Sequence, residues 1–291
     1  MILLTGAAGK TGRAVIRSLA GKGEALRALV HRRKQIQTVE AIGAQEVFVG
    51  DMRTLEDISQ AIQGVRAVYH IPPNVSPEEE LFGQNLIASA RSAGVEHFVF
   101  HSVLHPQTEA MPHHWKKLQV EEKLLESGLP FTIIQPAAYM QNILTHWQKI
   151  IEDGIYPVPY PTETRLSMVD LHDVAQAAAL VLTESGHEDA TYELVGTEAM
   201  SQNEVAVILS QGLGRPVRAE SVTIDVWERG ARASGLGDYQ VEALLKMFGY
   251  YERYGLSGNS LLLSCLLKRQ ATSYPAFVER TVRERKNEAT T

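Results

Sequence analysis

The 291 residues carry 28 Lys and Arg against 34 Asp and Glu, a formal net charge of −6 with a pI near 5.9. That balance argues against nucleic acid as a general partner, and the length allows one large domain, or a domain with a smaller lobe, around an ample core. The one cysteine, Cys265, excludes an internal disulfide and fits a reducing compartment. In its leucine-rich run, 261–267, it reads as a small buried apolar residue. That run is too short to span a bilayer, and a strand starting at the first residue leaves no room for a signal peptide. A cytoplasmic protein, monomer or homodimer, without a membrane or nucleic-acid partner is expected.

The chain opens with an apolar run, Met1-Ile2-Leu3-Leu4, followed by Thr5-Gly6-Ala7-Ala8-Gly9-Lys10-Thr11-Gly12 and a helical pattern over 13–20. A strand, a Gly-x-x-Gly-x-x-Gly turn and a helix in that order predict a dinucleotide site. Gly6 permits the tight turn, Gly9 lets backbone approach a pyrophosphate, and Gly12 allows close helix–strand contact. Ala8, Lys10 and Thr11 complete the phosphate loop, and the helix dipole favours an anion there.

A second strand follows at 24–30, a helix at 34–41, a third strand at 45–49, a helix at 55–62 with Thr54 as its cap, and a fourth strand at 67–71. Then come a helix at 78–93 ended by Gly94, a fifth strand at 97–101, a helix from about 113 to 126 and a sixth strand at 131–134. This rhythm implies right-handed crossovers and a parallel sheet. The turn-rich stretch 153–161 leaves the sheet. The chain is expected to return with 165–169, a helix to 182 and a strand at 191–195, before short helical patterns from Ser201 and a frayed, charged tail after Arg283. The fold class is therefore α/β, a Rossmann doubly wound parallel sheet with a smaller C-terminal substrate lobe over the carboxyl ends of the strands. Residues 1–155 form the cofactor-binding domain, with 164–196 completing its sheet, and 156–291 are mainly the lobe.

The second strand ends in Val30-His31-Arg32-Arg33-Lys34, with no carboxylate where an NAD site places one on the ribose. Arginine's planar fork suits the 2′-phosphate of NADP, so NADP(H) is expected, with Arg32 as lead contact and Arg33 and Lys34 secondary. Asp51 and Met52 follow the third strand; Asp51 either bonds the adenine end or caps the next turn. The nicotinamide end falls to Ile71, Pro72 and Pro73, Ser102, the helix start with His113 and Lys117, and Pro136, Ala138 and Tyr139. His113 and Lys117 share a helix face at i and i+4. Lys117 orients ribose hydroxyls, or donates a proton to a substrate, or is a surface lysine paired with Glu121. His101, His105, His113 and His114 have no carboxylate or thiolate close by to complete a zinc set, and no metal is expected. Met140, Trp147, Trp227 and the group Phe248, Tyr250 and Tyr251 are either pocket walls or helix core.

Several segments together resemble the NmrA-like branch of the atypical short-chain dehydrogenase/reductases, over nearly the whole chain. They are Thr5 to Gly12, the run from Glu96 to Ser102, the helix with Lys117, Glu121 and Glu122, the run from Ser127 to Pro136, Tyr139 to Asn142, and Thr272 to Val278. The resemblance implies a Rossmann sheet of about seven strands, an NADP preference and a small carboxyl-terminal substrate lobe. Neighbouring isoflavone-reductase-like enzymes carry a catalytic lysine in the helix before a Gly-Ile-Pro-Tyr-Thr-type strand; counting back from Gly128-Leu129-Pro130-Phe131-Thr132 places it on Lys117. The Tyr-x-x-x-Lys of ordinary short-chain dehydrogenases is absent, as it is in NmrA-like members, with His113 at the tyrosine position. Some members are NADP-binding redox sensors without turnover, and others reduce quinones or related carbonyls. The expectation is an NADPH-dependent reductase of a small apolar carbonyl, quinone or activated double bond, with Lys117, His113 and Ser102 as catalytic candidates; the alternative is a silent NADP(H) sensor with a protein partner.

Overall fold

The computed structural model describes residues 1–290. Strand and helix alternate through β1 (Ile2–Leu4), α1 (Lys10–Ala20), β2 (Leu26–Val30), α2 (Ile36–Glu40), β3 (Glu46–Val49), α3 (Leu55–Ala61), β4 (Ala67–His70), α4 (Glu79–Ala93), β5 (His97–His101), α5 (Pro112–Leu125) and β6 (Phe131–Pro136). After them come β7 (Ala138–Tyr139), α6 (Trp147–Asp153), β8 (Ile155–Val158), β9 (Arg165–Leu166), β10 (Met168–Val169), α7 (Leu171–Thr183) and β11 (Ala190–Leu194). The chain ends with β12 (Met200–Ser201), α8 (Gln202–Leu213), β13 (Arg218–Ser221), α9 (Ile224–Ala233), α10 (Asp238–Tyr254), α11 (Leu261–Leu267) and α12 (Tyr274–Thr290).

The large sheet has the order β3-β2-β1-β4-β5-β6-β11. Its β1, β2, β3, β4, β5 and β6 pair in parallel, with Leu4 opposite Ala28 and Tyr69, and His70 opposite Phe100. The strand order reverses between β1 and β4, which is where doubly wound sheets bind dinucleotides. Every residue of β4 and β5 is buried, as expected of a sheet covered on both faces. On one face Leu3, Val68, Phe98, Phe100 and Ile133 pack against Ile58 of α3, Leu86 and Ala90 of α4, and Val120 and Leu124 of α5. Gly83 lets α5 close on α4, since a Cβ there would stand 2.6 Å from Val120.

The chain divides into two compact units, Met1–Pro136 with Val174–Glu193, and Ala137–Asp173 with Leu194–Thr291. The opening stretch of the first unit thus runs to Pro136, short of 155, and the unit takes up 174–193 of the expected 164–196. The segment 165–169 does not return to the large sheet as expected: β9 pairs with β12, β10 pairs with β7, and Ser167 between them sends its N–H to Leu256 O at 2.6 Å. Only β11 rejoins it. The strand β13, absent from the sequence reading, pairs with β8. In the second unit Met140, Trp147, Tyr156, Leu209, Tyr274 and Phe277 share a core. Cys265 is exposed, not buried, because α11 turns Leu263 and Leu266 inward and leaves Cys265 on the other side. The tail after Arg283 continues α12 to Thr290. Among the described residues no helix is long and apolar enough to cross a membrane.

Candidate cofactor site and lysine cluster

The glycine turn is built from β1 and β4 together. Thr5 N–H donates to Tyr69 O at 3.1 Å, and Ile71 N–H donates to Thr5 Oγ1 at 2.9 Å. The same hydroxyl lies 2.9 Å from His70 Nδ1. Gly6 has φ +60°, and a Cβ on it would stand 2.7 Å from Ile71 O. Gly12 is tighter still, its missing Cβ being 2.4 Å from Gly6 O and 2.7 Å from Ala7 Cα. Gly9 differs: it is exposed, extended at φ −73° and ψ 169°, and crowded only by Gly6 O at 3.2 Å. No side chain caps α1 at this position. Bare backbone at a helix start, at the reversal point of the sheet, is the cradle a pyrophosphate requires.

At the end of β2, His31, Arg32, Arg33 and Lys34 are all exposed. Gln35 fixes the turn by accepting Arg32 N–H at 2.9 Å, and the three cations keep their guanidinium and ammonium groups out of ion pairs among the described residues. Asp51 is already engaged: it accepts Arg53 N–H at 2.9 Å, its own N–H goes to Asp57, and Arg53 reaches on to Glu78 at 2.7 Å. The backbone hydrogen bond from Arg53 leads the causes that hold the Asp51 carboxyl below its usual range. The turn-capping role of Asp51 is thus present. Met52 packs on the core, and its carbonyl accepts Asn85 Nδ2 at 3.0 Å. Thr54 sits at the start of α3 but its side chain makes no cap.

Lys117 lies on the first half of α5, which begins at Pro112. Its Nζ donates to Glu79 Oε1 at 2.6 Å and to His101 O at 3.2 Å, with the Phe100 ring centroid 5.4 Å away. The expected pairing with Glu121 does not form. Glu121 instead accepts Ser102 Oγ and, at 2.9 Å, Gln135 Nε2, so one carboxylate ties α5 to the ends of β5 and β6. Ser102 is buried and its hydroxyl is spent on Glu121.

Of the four histidines weighed for a metal, His101, His113 and His114 are buried. His101 Nδ1 meets Tyr69 OH at 2.7 Å, and His114 Nδ1 lies 3.1 Å from the carbonyl of His105, a residue at φ +56°. His113 is buried edge-on to His114, and its Nδ1 has no partner among the described residues. Burial, then the nearby Lys117 charge, lowers His113 to about 4; burial is also the main cause holding His70, His101 and His114 near 3. These imidazoles are neutral at pH 7. No group of three metal-ligating side chains occurs among the described residues.

The NmrA-like family model matches residues 1–288. The chain belongs to the NmrA-like family. It is 32% identical to the NAD(P)H azoreductase of Xenophilus azovorans over 281 residues, covering 96% of this chain and 97% of that one. The NADPH-dependent quinone oxidoreductase of Escherichia coli, solved with NADPH, superposes with a TM-score of 0.84 at 26% identity, covering 97% and 100% of the two chains. The triphenylmethane reductase of Citrobacter sp., solved with NADP(H), gives 0.83 at 25% identity, with 96% and 99% covered.

Within this NmrA-like chain, the first unit collects the glycine turn, the Arg32 turn, Asp51 and Met52, Ile71 to Pro73, Ser102, His113, Lys117 and Pro136, mostly at or just beyond the carboxyl ends of its strands. Ala138 and Tyr139 belong to the second unit, as β7. Of the suggested pocket walls, Met140 and Trp147 are core, while Trp227 meets Phe248 edge-on at 4.7 Å. The partner of Lys117, Glu79, is not foreseen in the sequence. Three glutamates opening a helix read as ordinary dipole-favoured residues, and only the close approach at Gly83 hints that α5 lies near enough to pair with them.

Proposed function

We propose that this NmrA-like protein is an NADPH-dependent reductase of a small, largely apolar carbonyl, quinone or activated double bond, the azo group included. The observation that carries the reading is the bare glycine cradle joined to an exposed, carboxylate-free Arg32-Arg33-Lys34 turn. The cradle would hold the pyrophosphate, and Arg32, with Arg33, the 2′-phosphate. Asp51 and Met52 would border the adenine, and Ile71, Pro72, Pro73 and Pro136 the nicotinamide end. NADPH supplies the hydride when bound. Lys117 has three N–H bonds and the described residues accept two, so one is left for a bound molecule. It would donate to the substrate atom that gains charge. His113 is neutral, with its Nδ1 buried and without a partner among the described residues, and supplies no proton itself at pH 7. Ser102 acts behind them by fixing Glu121. The single cysteine, exposed and unpaired, suits a cytoplasmic setting.

NADPH consumption followed by absorbance against quinones, aldehydes, enones, imines and azo dyes tests the reading; tight NADPH binding with no turnover on any of them would leave a sensor instead. NADPH should bind more tightly than NADH, and Arg32→Asp should cost roughly ten- to hundredfold in NADPH affinity and close the gap. Equal calorimetric affinities for the two cofactors in the parent protein would sink the assignment of the cationic turn. Lys117→Ala should lower turnover about a hundredfold while changing NADPH affinity much less, because its remaining N–H is felt mainly in the transition state. Parental turnover in that variant would return Lys117 to a structural role.

A further inference from the structure

The first turn of α4 presents three consecutive glutamates, and each takes a cation from another element: Glu78 takes Arg53 from the loop after β3, and Glu79 and Glu80 take Lys117 and Lys116 from α5. The middle pair is unlike its neighbours. The Glu79 side chain is 1% exposed and the Lys117 side chain 14%, against 25–50% for the residues of the flanking pairs. Glu79 Oε1 holds Nζ at 2.6 Å, while Oε2 is buried without a partner among the described residues. The groups facing Lys117 are Glu79 and Glu80 from α4, His70 from β4, His101 from β5, and His113, His114, Lys116 and Glu121 from α5. The histidines are neutral, Glu80 is taken by Lys116, and Glu121 is taken by Ser102 and Gln135. The counter-charge in contact with Lys117 is Glu79.

We infer that Glu79 is a positioning residue for Lys117, holding its ammonium against the carboxyl end of β5 so that one N–H stays available to a bound molecule. The inference rests on the role proposed for Lys117 above. Two strong acceptors, one a fully buried carboxylate, fix the long lysine side chain in one place. The packing of α5 on α4 at Gly83 brings the pair within reach. Burial pushes the Glu79 carboxyl up, and Lys117 is the main influence opposing it.

The test compares Glu79→Gln, Lys117→Met and the double variant by turnover, NADPH affinity and melting temperature against pH. Glu79→Gln should lower kcat at least about tenfold with little change in NADPH affinity, and the double variant should be no slower than Lys117→Met alone. Effects that multiply, or parental turnover in Glu79→Gln, overturn the inference. Without Lys117, Glu79 binds a proton in the folded state that it lacks when unfolded, so stability falls as pH rises through the unfolded carboxyl range. Between pH 4 and 7 the melting temperature of Lys117→Met should drop relative to the double variant; parallel curves also overturn the pairing. This arm needs no activity, and because the double variant leaves neither charge unpaired it reads the pairing even if Glu79→Gln alone fails to fold. Parental turnover in Lys117→Met with diverging melting curves would instead reject the catalytic role of Lys117 and leave the pair standing.

Discussion

Acidification from pH 7 to pH 5 should remove most of the stability of this fold. His70, His101, His113 and His114 are buried and neutral, with values of about 3 to 4 against 6.5 for a free imidazole. Between 6.5 and those values the unfolded chain binds four protons that the native chain refuses, so stability falls as pH falls and levels off near pH 3 to 4. At pH 5 each histidine contributes about 2 kcal/mol of this loss, or about 8 kcal/mol together, which is comparable with the whole stability of a domain. Glu79 and Glu121, raised by burial, act in the opposite sense, but they are two groups against four. Urea unfolding at pH 7, 6 and 5 measures the slope directly, and His114→Gln should reduce it by about one proton. Equal stabilities at pH 7 and pH 5 would show that these imidazoles find compensating partners.

These histidines also mark where sequence reading stops. Strands β1 to β6 were legible because each is a short apolar run between helical patterns, and β5 was delimited to the residue. The glycine turn was legible because spacing, strand and helix coincide, and the absence of a carboxylate after β2 needs no structure to see. His101 at its strand end and the shared face of His113 and Lys117 also follow from local periodicity. Partners across elements do not. Glu121 at i+4 from Lys117 is the obvious local partner, yet it turns to Ser102 and Gln135, while Lys117 reaches Glu79 on a neighbouring helix. The segment 165–169 alternates like a strand, but Ser167 breaks it and the halves pair with different partners. A period-two pattern states which side chains face a core, not which sheet supplies it.

Gly9→Val should abolish NADPH binding and leave the fold in place, whereas Gly12→Val should damage the fold itself. At Gly9 the backbone is extended, a conformation valine adopts freely, and an added Cβ meets only Gly6 O at 3.2 Å. What the new side chain fills is the solvent side of the turn, the space through which backbone N–H groups reach a phosphate. Hydrogen bonds to a charged group are worth about 1.5–3 kcal/mol each, so losing two weakens binding by about a hundred- to ten-thousandfold. At Gly12 the Cβ would meet rigid backbone at 2.4 and 2.7 Å, forcing α1 off β1 at a cost of about 3 kcal/mol. Cofactor fluorescence read beside circular dichroism melts separates the two outcomes. If Gly9→Val binds NADPH like the parent, the turn serves helix packing alone, and the reductase reading loses the observation that carries it.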